Sequence, residues 1–102
     1  MTSDIAIRDE AEHERYVASL DGSDVGEIIY RVAGDVITFV HTEVDSSVEG
    51  RGVGSTLAVR VLDDAVAAGR TIVPRCPFVA EYIRRHPRYL DHVDARYRDE
   101  LR

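Results

Sequence analysis

The sequence of 102 residues has a single cysteine, no tryptophan and three prolines. One cysteine excludes a disulfide within the chain, which suits a reducing, cytoplasmic setting. No apolar run approaches the roughly 18–20 residues that a membrane span needs. The opening stretch, Met1 to Tyr16, is acidic and lacks the basic-then-apolar layout of a secretory leader, so no membrane partner is expected. Positive charge is also short, with 13 basic against 19 acidic residues and a formal net charge of −6. A nucleic-acid binder draws affinity from a basic face that releases phosphate counterions, so no nucleic-acid partner is expected. Amines and lysine-rich peptides are the partners such a field attracts. Repeats, low-complexity tracts and linkers are missing too, and the reading is one domain spanning the chain, monomeric or weakly dimeric.

What the chain does have is two periodicities in succession. Over the first half apolar residues alternate with polar ones, as strands with one buried face require. Ile5 and Ile7 alternate in this way, and Tyr16, Ala18 and Leu20 follow after a short acidic turn. Asp21-Gly22 signals a tight hairpin between the second and third strands. The third strand runs through Val25 to Val32, Gly34-Asp35 turns the chain, and Val36 to Val44 is rich in β-branched residues. From Val53 the repeat lengthens. Val53, Leu57, Val61 and Ala65 recur every fourth residue, with Ala58, Leu62 and Val66 widening the stripe, so a helix is expected here. Gly69 closes it in the left-handed conformation. Thr71-Ile72-Val73 reads as a short buried strand ended by Pro74. Pro77 opens a second helix with Cys76 near its N-cap, Val79, Ala80 and Ile83 form its apolar face, and Pro87 stops it near His86. A short, mostly polar helix is expected after Asp91. Four strands, a helix, a strand and a helix make an α+β fold, an antiparallel meander joined to a βαβ-like unit.

The segment Val48-Glu49-Gly50-Arg51-Gly52-Val53-Gly54-Ser55 carries the most chemistry. Its three alternating glycines allow tight turning and close backbone approach to a ligand. The helix that follows directs unpaired N–H groups and the positive end of its dipole into the same space, which suits a pyrophosphate. Arg51 adds a charge-assisted contact. A Walker A loop would need a Gly-Lys-Ser/Thr ending, and this loop has no lysine. A Rossmann fingerprint would need Gly-x-Gly-x-x-Gly near the first strand of a parallel unit, and both the spacing and the position differ.

Glu49-Gly50-Arg51-Gly52-Val53-Gly54 instead resembles the pyrophosphate loop, Gln/Arg-x-x-Gly-x-Gly/Ala, of the GNAT (GCN5-related N-acetyltransferase) superfamily, and it lies between a fourth strand and a long helix as that loop does. Glu49 departs from the pattern, since a carboxylate repels a pyrophosphate unless it points outward. With His41-Thr42-Glu43-Val44, Cys76-Pro77-Phe78-Val79 and His86-Pro87-Arg88-Tyr89, the chain from about Ile5 to Leu90 is similar to the short, NATD1-type members of that superfamily. The resemblance implies a three-layer α/β/α sandwich with splayed central strands and acetyl-CoA as cosubstrate. It implies binding by Val48 to Ser55 and by strand amides near Glu43 and Val44.

Acetyl transfer to an amine requires a deprotonated nucleophile, a polarised thioester carbonyl and a proton for the departing thiolate. By the two-residue period His41, Glu43 and Asp45 share one face of the fourth strand. His41 or Glu43 can serve as general base; both can equally be satisfied polar residues at a sheet edge. No fourth ligand lies nearby, so no metal is expected. Cys76 has two reasons for added thiolate character, a helix N-terminus and the neighbouring Arg75. In the GNAT-like arrangement it lies near the thioester, as nucleophile, as proton donor or as a small buried wall. Larger members of the superfamily place a tyrosine acid in the second helix, where this chain has Arg84. Tyr82 faces elsewhere, and His86 and Tyr89 are expected to cap and pack the end of that helix. The expected activity is N-acetylation of an amine, on a small molecule, protein or peptide. The alternative is a non-catalytic CoA or acyl-CoA binding module.

Overall fold

The computed structural model describes residues 5–102. Strands β1 (Ile5–Glu10), β2 (Arg15–Leu20), β3 (Ser23–Ala33) and β4 (Val36–Val44) pair antiparallel in chain order, and β5 (Thr71–Pro74) adds to β4 in parallel. The β2–β3 hairpin turns at Asp21-Gly22, whose φ angles of 53° and 86° match the right-handed twist of the strands it joins. Tyr16, Ala18 and Leu20 on β2 and Ile28 and Tyr30 on β3 are buried on one face, as their alternation requires.

The helix α1 (Val53–Ala67) crosses from β4 to β5 over that face and buries Val53, Leu57, Ala58, Val61, Leu62 and Ala65. Each large side chain of this stripe contributes about 1.5–3 kcal/mol by leaving water. Its approach is close enough at Gly26 that a Cβ there would lie 3.1 Å from Val53 Cγ1 and 3.2 Å from Leu57 Cδ1. The helix ends as expected: Gly69 has φ +70°, its N–H donates to the Val66 carbonyl and that of Arg70 to the Ala65 carbonyl. Helix α2 (Pro77–Arg85) begins with proline in its first turn and buries Val79 and Ile83.

Beyond α2 the chain departs from expectation. Residues Pro87–His92 form a 3₁₀ turn, and Val93 then pairs with Ile72 as a one-residue extension of the sheet. Only afterwards does a four-residue helix, α3 (Ala95–Arg98), appear, followed by a turn that buries Leu101. Pro87 lacks the N–H that would carry α2 onward, so α2 stops before it as expected, and the short polar helix expected after Asp91 is the single turn Ala95–Arg98.

The α+β class and the meander–helix–strand–helix order are as expected; the layering is simpler. Helices α1 and α2 lie side by side in one core, the Phe78 ring resting on Gly54. Among the described residues no helix covers the other face of β1–β3, so the expected third layer is not formed. β1 and β2 are joined by residues 11–14 alone, which leaves no chain for a covering helix. That face instead carries linked ion pairs. Arg8 Nε lies 2.8 Å from Glu10 Oε2 and its Nη2 2.9 Å from Asp24 Oδ2, while Arg15 reaches Glu10 at 2.7 Å and Glu27 at 3.2 Å.

Hydrogen bonds from Arg8, and then from Arg15, hold the Glu10 carboxyl below its ordinary 4.5. Arg8, then Ser19, does the same for Asp24 relative to 3.8. A carboxyl with a lowered folded-state pKa adds stability above its ordinary value and loses it as pH falls through the folded value. The thermal midpoint is therefore expected to fall from about pH 4.5 downward, and Arg8→Ala should make that acid slope shallower. An unchanged slope in Arg8→Ala would show that the Arg8 pairs contribute nothing.

Candidate functional site

The site begins where β4 loses a neighbour. β4 pairs with β5 only from Val36↔Thr71 to Phe39↔Pro74, and a last tie runs from the Cys76 N–H to the Phe39 carbonyl at 2.9 Å. The chain then turns into α2, while β4 continues to Val44 with β3 alone beside it. A bulge opposite Ile29/Tyr30 shifts the phase of β4. Ile37 and Phe39 point inward before it, and Thr42 and Val44 are the more covered residues after it, leaving Val40, His41 and Glu43 exposed. The Asp45 N–H donates to the Val25 carbonyl at 2.8 Å, which fixes the side on which alternate amides face β3. By strand alternation the amides of Thr42 and Val44 face the gap left by β5.

Beside that gap lies the glycine loop. Asp45 accepts from the Ser47 N–H at 2.9 Å, which lowers its pKa and caps the turn Ser46–Val48. Buried Val48 pins the turn to the core. Gly50 and Gly52 then take φ of 82° and 83°, which a side chain would strain. The first helical tie is Thr56 N–H to the Gly52 carbonyl, so the amides of Gly52, Val53, Gly54 and Ser55 have no acceptor among the described residues. These four amides, the helix dipole and exposed Arg51 and Ser55 form a cradle for an anion. Glu49 is exposed, and its N–H is used within the turn by the Ser46 carbonyl. Gly54 has a different reason to be glycine: a Cβ there would lie 2.7 Å from Phe78 Cζ.

The three residues expected to carry the chemistry do not form one cluster. Cys76 is 2% exposed, occupies the N-cap position of α2 and has its Sγ 3.0 Å from Thr42 Oγ1 at the root of the gap. His41 and Glu43 stand on the opposite face of β4, their Nε2 and Oε1 3.7 Å apart. Arg75 does not accompany the thiol; it is exposed and lines a hollow with Arg31, Thr38 and Val40. Asp45 is drawn into a capping role through Oδ1, yet still lines one hollow with Glu43. A second hollow, of about 540 Å³, lies beside Glu43 and is lined by Asp24, Glu27, Asp45, Val44 and Arg15. Arg15 is already neutralised there by Glu10 and Glu27.

The end of α2 is structural, as expected. His86 Nδ1 lies 2.8 Å from the Tyr82 carbonyl and its ring stacks on that of Tyr82 at 4.0 Å. The Tyr89 hydroxyl donates to Asp63 at 2.7 Å; burial, then that bond, raises its pKa to about 12. Arg84 pairs with Glu81 on the surface.

Residues 15–93, most of the chain, match the family model of the GCN5-related N-acetyl-transferases. The chain belongs to this family. It is therefore an acetyltransferase, and the GNAT resemblance read from its motifs is borne out. No curated protein sequence matches it significantly. Solved structures agree on the fold. A GCN5-like protein from Staphylococcus aureus, solved in solution by NMR, superposes with a TM-score of 0.69 over 91% of both chains at 24% identity. A ribosomal-protein-alanine N-acetyltransferase from Brucella melitensis superposes at 0.53 and 23% identity, over 79% of this chain and 63% of its own. An acetyltransferase from Vibrio fischeri reaches 0.50 at 18% identity, over 61% of this chain and 59% of its own.

Reading the sequence missed Thr42 and Phe78. Thr42 was legible in principle: continued alternation from Ile37 and Phe39 would bury His41, and a phase slip avoids that. Nothing local announces the Phe78–Gly54 contact, which joins two helices. It yields a test. Gly54→Ala is expected to cost about 1–3 kcal/mol by overpacking, and most of that cost should vanish in a Phe78→Ala background. Gly52→Ala, strained by its backbone, should cost about as much in either background. Denaturant unfolding of the single and double variants measures both.

Proposed function

We propose that this acetyltransferase uses acetyl-CoA and N-acetylates a cationic amine, on a small molecule or a peptide. The observation that carries the reading is the convergence of two sets of unpaired amides on one opening. The amides of Gly52 to Ser55 suit a pyrophosphate. Those of Thr42 and Val44 offer a strand edge to the amide-containing pantetheine arm. In this reading Val44 and the segment Glu49 to Ser55 form the coenzyme site, with Glu49 turned to solvent and Arg51 contributing charge. The Cys76-Pro77-Phe78-Val79 and His86-Pro87-Arg88-Tyr89 motifs support assignment to the short NATD1-type subfamily.

The two faces of β4 divide the labour. The acceptor amine enters from the exposed face, where Asp24, Glu27, Glu43 and Asp45 surround the hollow and favour a cation. The bound ammonium first loses one proton to water through Glu43, with His41 beside it; the freed nitrogen then bonds to the thioester carbon and Glu43 takes its second proton. The carbon–sulfur bond breaks and the departing thiolate takes a proton from the inner face, where Cys76 and Thr42 meet. Cys76 is assigned the role of donor rather than nucleophile, because its burial leaves the thiol behind the strand edge on which the arm lies.

Calorimetry with acetyl-CoA, CoA and ATP tests the site: acetyl-CoA and CoA are expected to bind, and ATP at least tenfold more weakly. Binding of ATP with no binding of CoA would sink the reading. With a polyamine or lysine-peptide acceptor, Glu43→Gln should lower kcat by about 100-fold or more while leaving acetyl-CoA affinity within twofold. Cys76→Ala should lower kcat without acetyl-enzyme ever appearing in the intact mass of the parent protein.

A further inference from the structure

Phe78 is one of two large apolar side chains left exposed among the described residues, with 40% of its surface open. The other, Val40, lies on the outer face of β4, away from the helices. An exposed aromatic ring beside an otherwise closed core forfeits burial of apolar surface, and here it does so at one particular place. The ring rests on the first turn of α1 at Gly54, inside the run of amides that lack an acceptor. Its own helix begins one residue earlier at Pro77, and the N-cap residue Cys76 touches Thr42 on the free edge of β4. Phe78 thus stands on the wall of the opening, between the anion cradle and the strand edge. Gly54 is glycine so that the ring can lie there.

We propose that Phe78 is the apolar contact for the pantetheine arm of the acyl-CoA, holding the arm against β4 between its phosphate and thioester ends. The inference rests on the coenzyme reading above and deepens it. The two amide sets supply only polar contacts, and the arm between them also carries methylene and gem-dimethyl groups that gain by leaving water. The Phe78 ring is an exposed apolar surface beside that path.

The test compares acetyl-CoA with 3′-phospho-ADP, the nucleotide portion without pantetheine, by calorimetry on the parent protein, Phe78→Ala and Phe78→Leu. Phe78→Ala should weaken acetyl-CoA about tenfold or more and leave 3′-phospho-ADP within twofold. Phe78→Leu, still apolar, should keep most of the acetyl-CoA affinity, and ligand-free melting of both variants checks that each folds. Equal weakening of both ligands by Phe78→Ala, or weakening of neither, overturns the proposal while leaving the coenzyme reading in place. Failure of the parent protein to bind acetyl-CoA overturns both.

Discussion

Strand β4 has two hydrogen-bonding edges, and beyond Phe39 the fold satisfies only one of them. β5 is four residues long and ends at Pro74, after which the chain turns away at Cys76. Backbone amides away from water need partners, so an edge opened beside the core is a standing demand for an external one. The opening, the division of side chains between the faces of β4 and the place of Cys76 all follow from that early termination. The bulge at Val40 and His41 completes it by returning Thr42 and Val44 to the inner face, which strict alternation would have denied them.

Much of this was legible before the structure, for identifiable reasons. The strands of the meander, α1 and α2 announce themselves through short-range patterns: the two-residue alternation of Tyr16, Ala18 and Leu20, the stripe from Val53 to Ala65, and the punctuation by Asp21-Gly22, Gly69 and Pro77. The glycine loop was legible because left-handed φ at Gly50 and Gly52 excludes most other residues. What escaped was set by tertiary contact. Gly54 reads like its two neighbours, yet its reason is a ring from another helix. Arg75 is adjacent to Cys76 in sequence and faces the other side of the sheet, because neighbours in an extended chain point oppositely. The polar tail after Asp91 has too weak a periodicity to predict that Val93 would join the sheet.

The bare outer face bears on how an acceptor is chosen. A groove walled by a third layer would select by shape, through contacts that must be desolvated together. Here the hollow beside Glu43 is bounded by carboxylates and a neutralised arginine on an open surface. Under the proposed function, selection there would rest on charge, which is longer in range, gentler in discrimination and weakened by salt.

The order of the strands has one more consequence. Each antiparallel pairing closes through a short turn, whereas β4 and β5 are joined by residues 45–70, the longest excursion in the sheet. Closing such a loop costs chain entropy, which the packing of α1 must offset. The cradle at the start of α1 and the thiol at the start of α2 lie on segments that this excursion brings together. A ligand spanning them would act as a removable clasp on that loop, tightening it in proportion to its free concentration and leaving the meander unaffected.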